Sequence, residues 1–481
     1  MSHNLKSKTT KALLWGSIDK VYSQVCYAVT GVILANILFA EDYGLVAIIN
    51  VFTAFATIFI DGGFSLALVQ RKTVTNKDYS TIFFFNIAIS GLLYIILFFC
   101  APLIADYYGD ERLILLSRIM FLNIIFLSLG LVQSSMLMKQ MDQRKVAFIN
   151  AVSLTISSLI ALSMALMGFG VWTLVVQALS LSFIRSLILW ISGKWLPLLA
   201  FSKSSLKSIF YVGSGILLTS FVRTFFQNIY TLIIGGYSMK DLGYYSQADR
   251  WSKMGATSLS QSIGNAAFPA LSSIQDDKER MRNVFGKINR MTSYLAFPVF
   301  IWLIVMTEPV FHCLFKTKWD PSILLFQLLL LKGLFFVFIS LLNNYLMAAG
   351  RTRIIFYLEV IKDVIALIII FITIRISILA LVIGQVVVEI IHYIITMSMA
   401  SKLTGYTIKR QAMDILPYAA IGIAISFVLW MLGNWIANDY LLVVVQGMTG
   451  IGLYLVINKL LNSKIQQEVF GMLAKKKPAE S

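Results

Sequence analysis

Residues 321–349 read PSILLFQLLLLKGLFFVFISLLNNYLMAA, an apolar run broken by a single charge, Lys332. It exceeds the roughly 20 residues that a helix needs to cross a hydrocarbon core of ~30 Å. Strand is disfavoured, because neighbouring strands could not satisfy the backbone groups of so long a continuous apolar run. Working outward, charges and turn residues delimit thirteen more such stretches. The set lies near 12–38, 44–69, 80–105, 113–138, 146–168, 170–193, 208–235, 244–270, 288–307, 321–349, 354–375, 378–400, 413–433 and 440–460. Trp172, Trp195, Trp319 and Trp435 sit near span ends, where an interfacial ring is expected.

Composition agrees. Of 481 residues, 58% are apolar and 13% charged, and the mean hydropathy is +0.80. Soluble chains run nearer 45–50% apolar and about 25% charged. A single soluble core, disorder, a collagen-like fibre and a secreted disulfide scaffold are all excluded. Cys26, Cys100 and Cys313, with His3, His312 and His392, are too few and scattered for a metal cage, and no cofactor is called for. The first stretch follows Lys6, Lys8 and Lys11, like a signal peptide, but it is too long for an h-region and has no A-x-A site. It is therefore expected to be kept as the first helix.

The net charge of +17 would suggest nucleic acid in a soluble chain. Here its placement matters more. The N-terminus, every second loop and the C-terminal tail, with Arg290 and Lys459 at the span ends beside them, hold 27 of the 40 Lys and Arg residues, against 5 in the other loops with Arg375 at a span end. A miscounted span would break this alternation, so both termini are expected in the cytoplasm. The fold class expected is an all-α polytopic membrane protein with fourteen transmembrane helices. The longest inner loop, between spans 8 and 9, reads as a surface helix. Met281, Val284, Phe285 and Ile288 form one apolar face among Lys278, Arg280, Arg282, Lys287 and Arg290, suited to anionic lipid.

A faint repeat near 200 residues runs through the chain. Lys20, Gln24 and Tyr27 in span 1 recur as Arg223, Gln227 and Tyr230 in span 7. Phe64-Ser65 recurs as Phe268-Pro269, and Gly44 and Gly243 open the second helix of each set. Six spans separate the copies, so they are expected to be parallel and related by an axis along the membrane normal. The organisation expected is an N-lobe (1–193, spans 1–6), a cytoplasmic linker (194–207), a C-lobe (208–400, spans 7–12), and spans 13 and 14 with a basic tail (401–481).

Charges inside spans are costly, about 2.5–3.5 kcal/mol at the bilayer centre, and mark cavities, pairs or snorkelling. Arg118 and Arg185 lie where they can snorkel. Glu359, Lys362 and Asp363 read mainly as local pairing, and Glu389 and His392 share a face of span 12. Spans 7 and 8 differ. Ser246, Arg250, Lys253, Thr257, Ser260, Gln261 and Gly264 fall on one side of span 8, with Asp249 in reach of Lys253. Span 7 adds Ser220, Arg223, Thr224, Gln227 and Thr231, and span 1 offers Lys20, Ser23, Gln24, Tyr27 and Thr30. Two successive cationic stripes cannot both face lipid, so a watery basic cavity is expected. Arg and Lys there suit an anion such as a phosphate, while Tyr and Gln suit sugar hydroxyls. The residues alone thus point to a transporter of an anionic, phosphorylated and glycosylated substrate.

Leu242-Gly243-Tyr244-Tyr245-Ser246-Gln247-Ala248 resembles the l-G-x-Y-s-x-A pattern of the polysaccharide-exporter family of lipid-linked oligosaccharide flippases. This is the Wzx-like branch of the multidrug/oligosaccharidyl-lipid/polysaccharide superfamily. Phe268-Pro269-Ala270-Leu271-Ser272 is similar to its F-P-x-l-s motif, and Ala349-Gly350-Arg351 to its a-x-G-r turn. Leu34-Ala35-Asn36 through Asp42-Tyr43-Gly44 resembles l-A-R-x-L…e-x-y-G, with Asn36 where the family often has Arg, and Asp61-Gly62-Gly63-Phe64 resembles d-x-G-f. The resemblance covers nearly the whole chain. It implies alternating access between two lobes, no enzymatic activity, and a bacterial inner-membrane location. The cargo implied is an undecaprenyl-diphosphate-linked oligosaccharide, such as an O-antigen, capsule or exopolysaccharide repeat unit. Its diphosphate or acidic sugars would be held by Arg223, Arg250 and Lys253 with Lys20 opposite, and its tail would stay in the bilayer. A proton or sodium ion would drive transport, with Asp61 and Glu389 as candidate carriers. Polysaccharide polymerases or glycosyltransferases are the protein partners such a role would bring; nucleic acid is not one.

Two rivals are weighed. A cation-coupled drug antiporter of the same superfamily should have an acidic cavity, against the Arg and Lys of spans 7 and 8. A membrane-embedded polymerase or glycosyltransferase usually carries a large outer loop or a clustered acid/base set. Here the longest outer loop runs only from Glu308 to Asp320, and no such set appears.

Overall fold

The computed structural model describes residues 2–61, 68, 74–193 and 195–474. Gly62, Gly63 and Phe64 of the d-x-G-f stretch, Ser65 of the repeat and the end of the basic tail lie outside the described residues. Every regular element among the described residues is helical. The chain packs as two compact units, Met1–Ser246 and Gln247–Ser481.

The first unit contains α1 (Ser2–Ile37), α2 (Ala40–Asp61), α3 (Asn76–Tyr108), α4 (Arg112–Met120), α5 (Leu122–Lys139), α6 (Gln143–Leu166), α7 (Trp172–Ser192) and α8 (Lys203–Gly235). Helix α9 (Met239–Ser272) begins in it and continues into the second unit. The second unit goes on with α10 (Lys278–Phe297), α11 (Leu303–Phe315), α12 (Pro321–Ala348), α13 (Thr352–Thr373), α14 (Ile378–Thr404), α15 (Ile408–Gly433), α16 (Asp439–Leu460) and α17 (Lys464–Ala474). Several of the short polar loops end on a residue that caps the next helix. Thr75 and Asp78 form a reciprocal capping box on α3, and Asp142, Asp277, Ser377, Thr407 and Asn438 each accept a backbone N–H of the helix they open. Each such cap is worth about 1 kcal/mol.

Eleven helices are long and apolar enough to cross a membrane by length and composition. The helices α1, α9 and α13 are not among them, and these three carry Asp19 and Lys20, Asp249 to Lys253, and Glu359 to Asp363. Those charges, and in α9 also the Ser, Gln and Asn residues that follow them, keep the three helices below that apolarity.

In the first unit α1 lies along α6, α6 and α5 pack on α7, and α2 packs on α8. The Phe221 ring of α8 sits 5.3 Å from Phe55 and 6.0 Å from Phe59 of α2. The starts of α2 and α9 meet at closer range. A Cβ placed on Gly44 would lie 1.9 Å from the Met239 carbonyl oxygen, and one on Gly243 would lie 1.8 Å from that of Ala40. Gly44 and Gly243, which the sequence pairs as repeat positions, therefore face each other's helix start reciprocally. Only glycine permits backbones this close.

In the second unit α14 lies between α12 and α13, and α10 packs on α15. The segment read as a lipid-facing surface helix is corrected here. Helix α10 runs through one π-helical turn at Pro298–Trp302 directly into α11. A proline, lacking a backbone N–H, is a natural place for such a widened turn. Its apolar face is not laid on lipid: Met281 and Phe285 are buried with Leu341, Tyr345, Leu346 and Tyr406. Phe285 stacks on Tyr345 at 4.0 Å and meets the edge of Tyr406 at 5.1 Å. The spacing does give an apolar face, but an apolar face does not say whether lipid or protein covers it.

Beside this cluster Arg290 donates to Asp414 Oδ1 at 2.6 Å, Tyr406 donates its hydroxyl to Asp414, and Asn289 donates to the Tyr406 hydroxyl at 3.3 Å. Burial and the Asp414 bond hold the Tyr406 phenol well above its ordinary pKa, so it stays a donor. Asp414→Ala is expected to cost about 2–3 kcal/mol, because it strands the buried phenol and removes a charged acceptor. Thermal unfolding of the detergent-purified variant reads this, and a midpoint equal to that of the natural protein would refute the knot.

Candidate functional site

The residues singled out in the sequence fall into three groups. In the first unit Lys20 is exposed on α1, with Gln24 and Tyr27 one and two turns on and half-buried. The neighbouring face of α1 is committed to α6. Asn150 donates to Asp19 Oδ2 at 2.9 Å, Tyr22 and Thr155 hydroxyls meet at 2.5 Å, and Cys26 Sγ lies 3.6 Å from Ser158 Oγ. With that face occupied, Lys20, Gln24 and Tyr27 turn elsewhere, as helical spacing requires.

The structure adds Arg185 to this group. Rather than reaching only toward head groups, it is half-buried on α7, with Asp19 and Tyr27 of α1 within electrostatic reach. Sequence reasoning missed the association. The signal existed, since Asp19 and Arg185 carry opposite charges within spans and neither has an opposite charge three or four residues away on its own helix. Arg118, by contrast, behaves as an anchor: its guanidinium lies 4.2 Å over the Phe98 ring and Nε donates to the Phe98 carbonyl at 3.4 Å.

The second group is on α8, where Arg223 and Gln227 are both exposed. Phe221, Ile229 and Tyr230 provide the apolar packing of this helix, leaving the polar residues uncovered.

The third group is on α9 in the second unit. Arg250 and Lys253 are exposed, and Lys253 Nζ binds Asp249 at 2.6 Å, one turn away. The polar stripe read from the sequence divides in two. Ser260 donates to Ser340 at 2.6 Å and Gly264 fits closely against the Asn344 amide, beside Ser252, a residue outside the stripe that donates to the Leu329 carbonyl at 2.7 Å. Ser260 and Gly264 are therefore packing contacts with α12, while Arg250, Lys253 and Gln261 are exposed. Small hydroxyl residues serve either purpose, and only the neighbour's position tells them apart.

The two candidate ion carriers differ in setting. Asp61 is the last residue of α2 and exposed, whereas Glu389 is buried within α14. The Glu359, Lys362 and Asp363 set is internally paired as its spacing suggests: Lys362 bonds Glu359 and lies 3.5 Å from Asp363. Among the described residues, no group of three or more His, Cys, Asp or Glu side chains is placed to hold a metal.

Exposed guanidinium and ammonium groups on long helices can bind an anion. Residues 33–324 match the family described as "Polysaccharide biosynthesis protein". The chain belongs to that family. Among its relatives, the teichuronic acid biosynthesis protein TuaB of Bacillus subtilis is 25% identical over 71% of this chain and 72% of its own. The succinoglycan biosynthesis transport protein ExoT of Rhizobium meliloti is 26% identical over 76% of this chain and 74% of its own. Among solved structures, the lipid II flippase MurJ in an inward closed conformation superposes with a TM-score of 0.77. At 17% identity, that match covers 93% of this chain and 98% of MurJ, so this polysaccharide biosynthesis protein shares its fold.

Proposed function

We propose that this chain is a flippase that carries an undecaprenyl-diphosphate-linked oligosaccharide across a bacterial inner membrane by alternating access. The observation that carries the reading is the set of exposed cations, Lys20, Arg223, Arg250 and Lys253, on the long helices of a polysaccharide biosynthesis protein. An enzyme would need a reacting constellation; a carrier needs only charge matched to its cargo. Relatives named for teichuronic acid biosynthesis and for succinoglycan biosynthesis transport support the same class of cargo.

On this reading the chain spans the membrane fourteen times with both termini in the cytoplasm, and its repeat gives two six-helix lobes, 1–193 and 208–400. Spans 13 and 14 and the basic tail complete the chain. Arg223, Arg250, Lys253 and Lys20 are the cations for the diphosphate or acidic sugars, and Gln24, Gln227 and Tyr27 are the contacts for the glycan. Membrane lipid surrounds the prenyl tail, and polymerases or glycosyltransferases supply and consume the cargo. Asp61 and Glu389 are the candidate coupling residues, and burial favours Glu389 for retaining an ion in transit.

A thermal-shift titration of the purified protein tests this. An undecaprenyl-diphosphate glycan is expected to raise the melting temperature, undecaprenyl phosphate to do so less, and Arg223→Ala to lose the effect. Stabilisation by a quaternary-ammonium drug instead would replace the reading with that of a drug antiporter.

A further inference from the structure

Helix α14 carries four polar side chains in its apolar middle, Gln385, Glu389, His392 and Thr396. Spacings of four, three and four residues put them on one face. Their exposures are 2%, 9%, 3% and 0%, so this face is turned into the protein. At 1.5 Å per residue the ladder extends roughly 16 Å, about half a hydrocarbon core.

Its first rung is tied to a cation, since Lys332 Nζ of α12 donates to Gln385 Oε1 at 2.8 Å. The charged groups facing Glu389 are Lys332 from α12 and Lys362 and Glu359 from α13. Those facing His392 are Glu359 and Lys362. At the far end neither ring nitrogen of His392 nor the Thr396 hydroxyl has a hydrogen-bond partner in the protein. Stranding each such buried atom costs about 1–3 kcal/mol, so native proteins satisfy them with water or give them a purpose. A metal cation is a poor occupant, because two ammonium groups already flank the carboxylate. A proton is the cation that Glu389 can still accept.

We propose that this face of α14 is a proton path in which Glu389 takes up and releases the proton and His392 relays it. The proposal deepens the transporter reading by supplying its driving ion, and rests on that reading for its purpose. A proton from hydronium at the Lys332 end converts the Glu389 carboxylate to a neutral carboxyl and leaves water. The carboxyl passes the proton through a bridging water to a His392 ring nitrogen one turn away. The imidazolium then releases it to water beyond Thr396, restoring carboxylate and neutral imidazole. Protonation also removes the partner charge of Lys332, whose other acidic neighbour is Asp249 of α9. Asp249 is the partner of Lys253, 2.6 Å away. Competition for that carboxylate frees the Lys253 ammonium, which links the proton to an exposed cation of the proposed anion site.

The test is infrared difference spectroscopy of the purified full-length protein in lipid vesicles, titrated with pH without any glycolipid. A protonated-carboxyl band is expected that is lost in Glu389→Gln and whose midpoint changes in Lys332→Met. Both variants are compared at unchanged helicity. A Glu389→Gln spectrum matching the natural protein's, or a midpoint indifferent to Lys332→Met, overturns the proposal. Should Glu389→Gln fail to fold, Glu389→Asp replaces it, and an unmoved band frequency is then the refuting result. No cargo enters this measurement, so its failure leaves the flippase reading standing, and failed glycolipid binding leaves the titration standing.

Discussion

Gly44→Ala and Gly243→Ala are each expected to abolish export and to lower the thermal midpoint, with the double variant losing less than the sum. The added Cβ would lie 1.9 Å from the Met239 oxygen or 1.8 Å from the Ala40 oxygen, where real contacts stay above 3.0 Å. The obstacle is backbone at the start of a helix, so no side-chain rotation relieves it and α2 and α9 must part. Overpacking of this kind costs about 1–3 kcal/mol or more. The weak contacts such glycines make with a facing carbonyl are lost as well. The loss is less than additive because one substitution already opens the contact that the second would break. Melting curves of the three variants, with surface polysaccharide measured in cells, check this. A fully additive double variant would show that the two glycines act separately.

Arg223→Ala or Arg250→Ala should stop export while leaving membrane insertion intact. Both guanidinium groups are exposed, so the fold does not need them, and deleting an embedded charge eases insertion. A charge-assisted bond to phosphate is worth about 1.5–3 kcal/mol, or roughly 10- to 100-fold in cargo affinity per arginine. Lys in place of either Arg should rescue only partly, since an ammonium cannot make the bidentate contact. Arg118→Ala, which removes a ring contact 4.2 Å from Phe98, is the control expected to export nearly normally. Polysaccharide export is compared with the amount of protein in isolated membranes. Normal export by both variants would remove the anion-site assignment.

Much of this is legible in the sequence because membranes impose simple rules. Long apolar runs must be helices, and the described residues of those stretches fall almost entirely in helices, with most described ends within a few residues of those read from charge and turn residues. The local Lys362 pairing and the Asp249–Lys253 pair come from helical spacing alone. What spacing cannot give is the identity of the neighbour. Met281 and Phe285 have the spacing of a lipid-facing stripe and are covered by Tyr345 and Tyr406. Ser260 and Gly264 have the chemistry of cavity lining and are packed against Ser340 and Asn344.

The sequence by itself therefore determined the helical segments, the charges they carry and the pairs formed within one helix, because each depends on residues close in the chain. Tertiary structure decided the rest: that Arg185 meets Asp19 and Tyr27, that Gly44 and Gly243 each face the other's helix start, and that Lys332 reaches the Gln385 end of a buried ladder. These pairings join residues tens to hundreds of positions apart. They are fixed by which helix faces come together, and that depends on packing among all the helices of a unit at once.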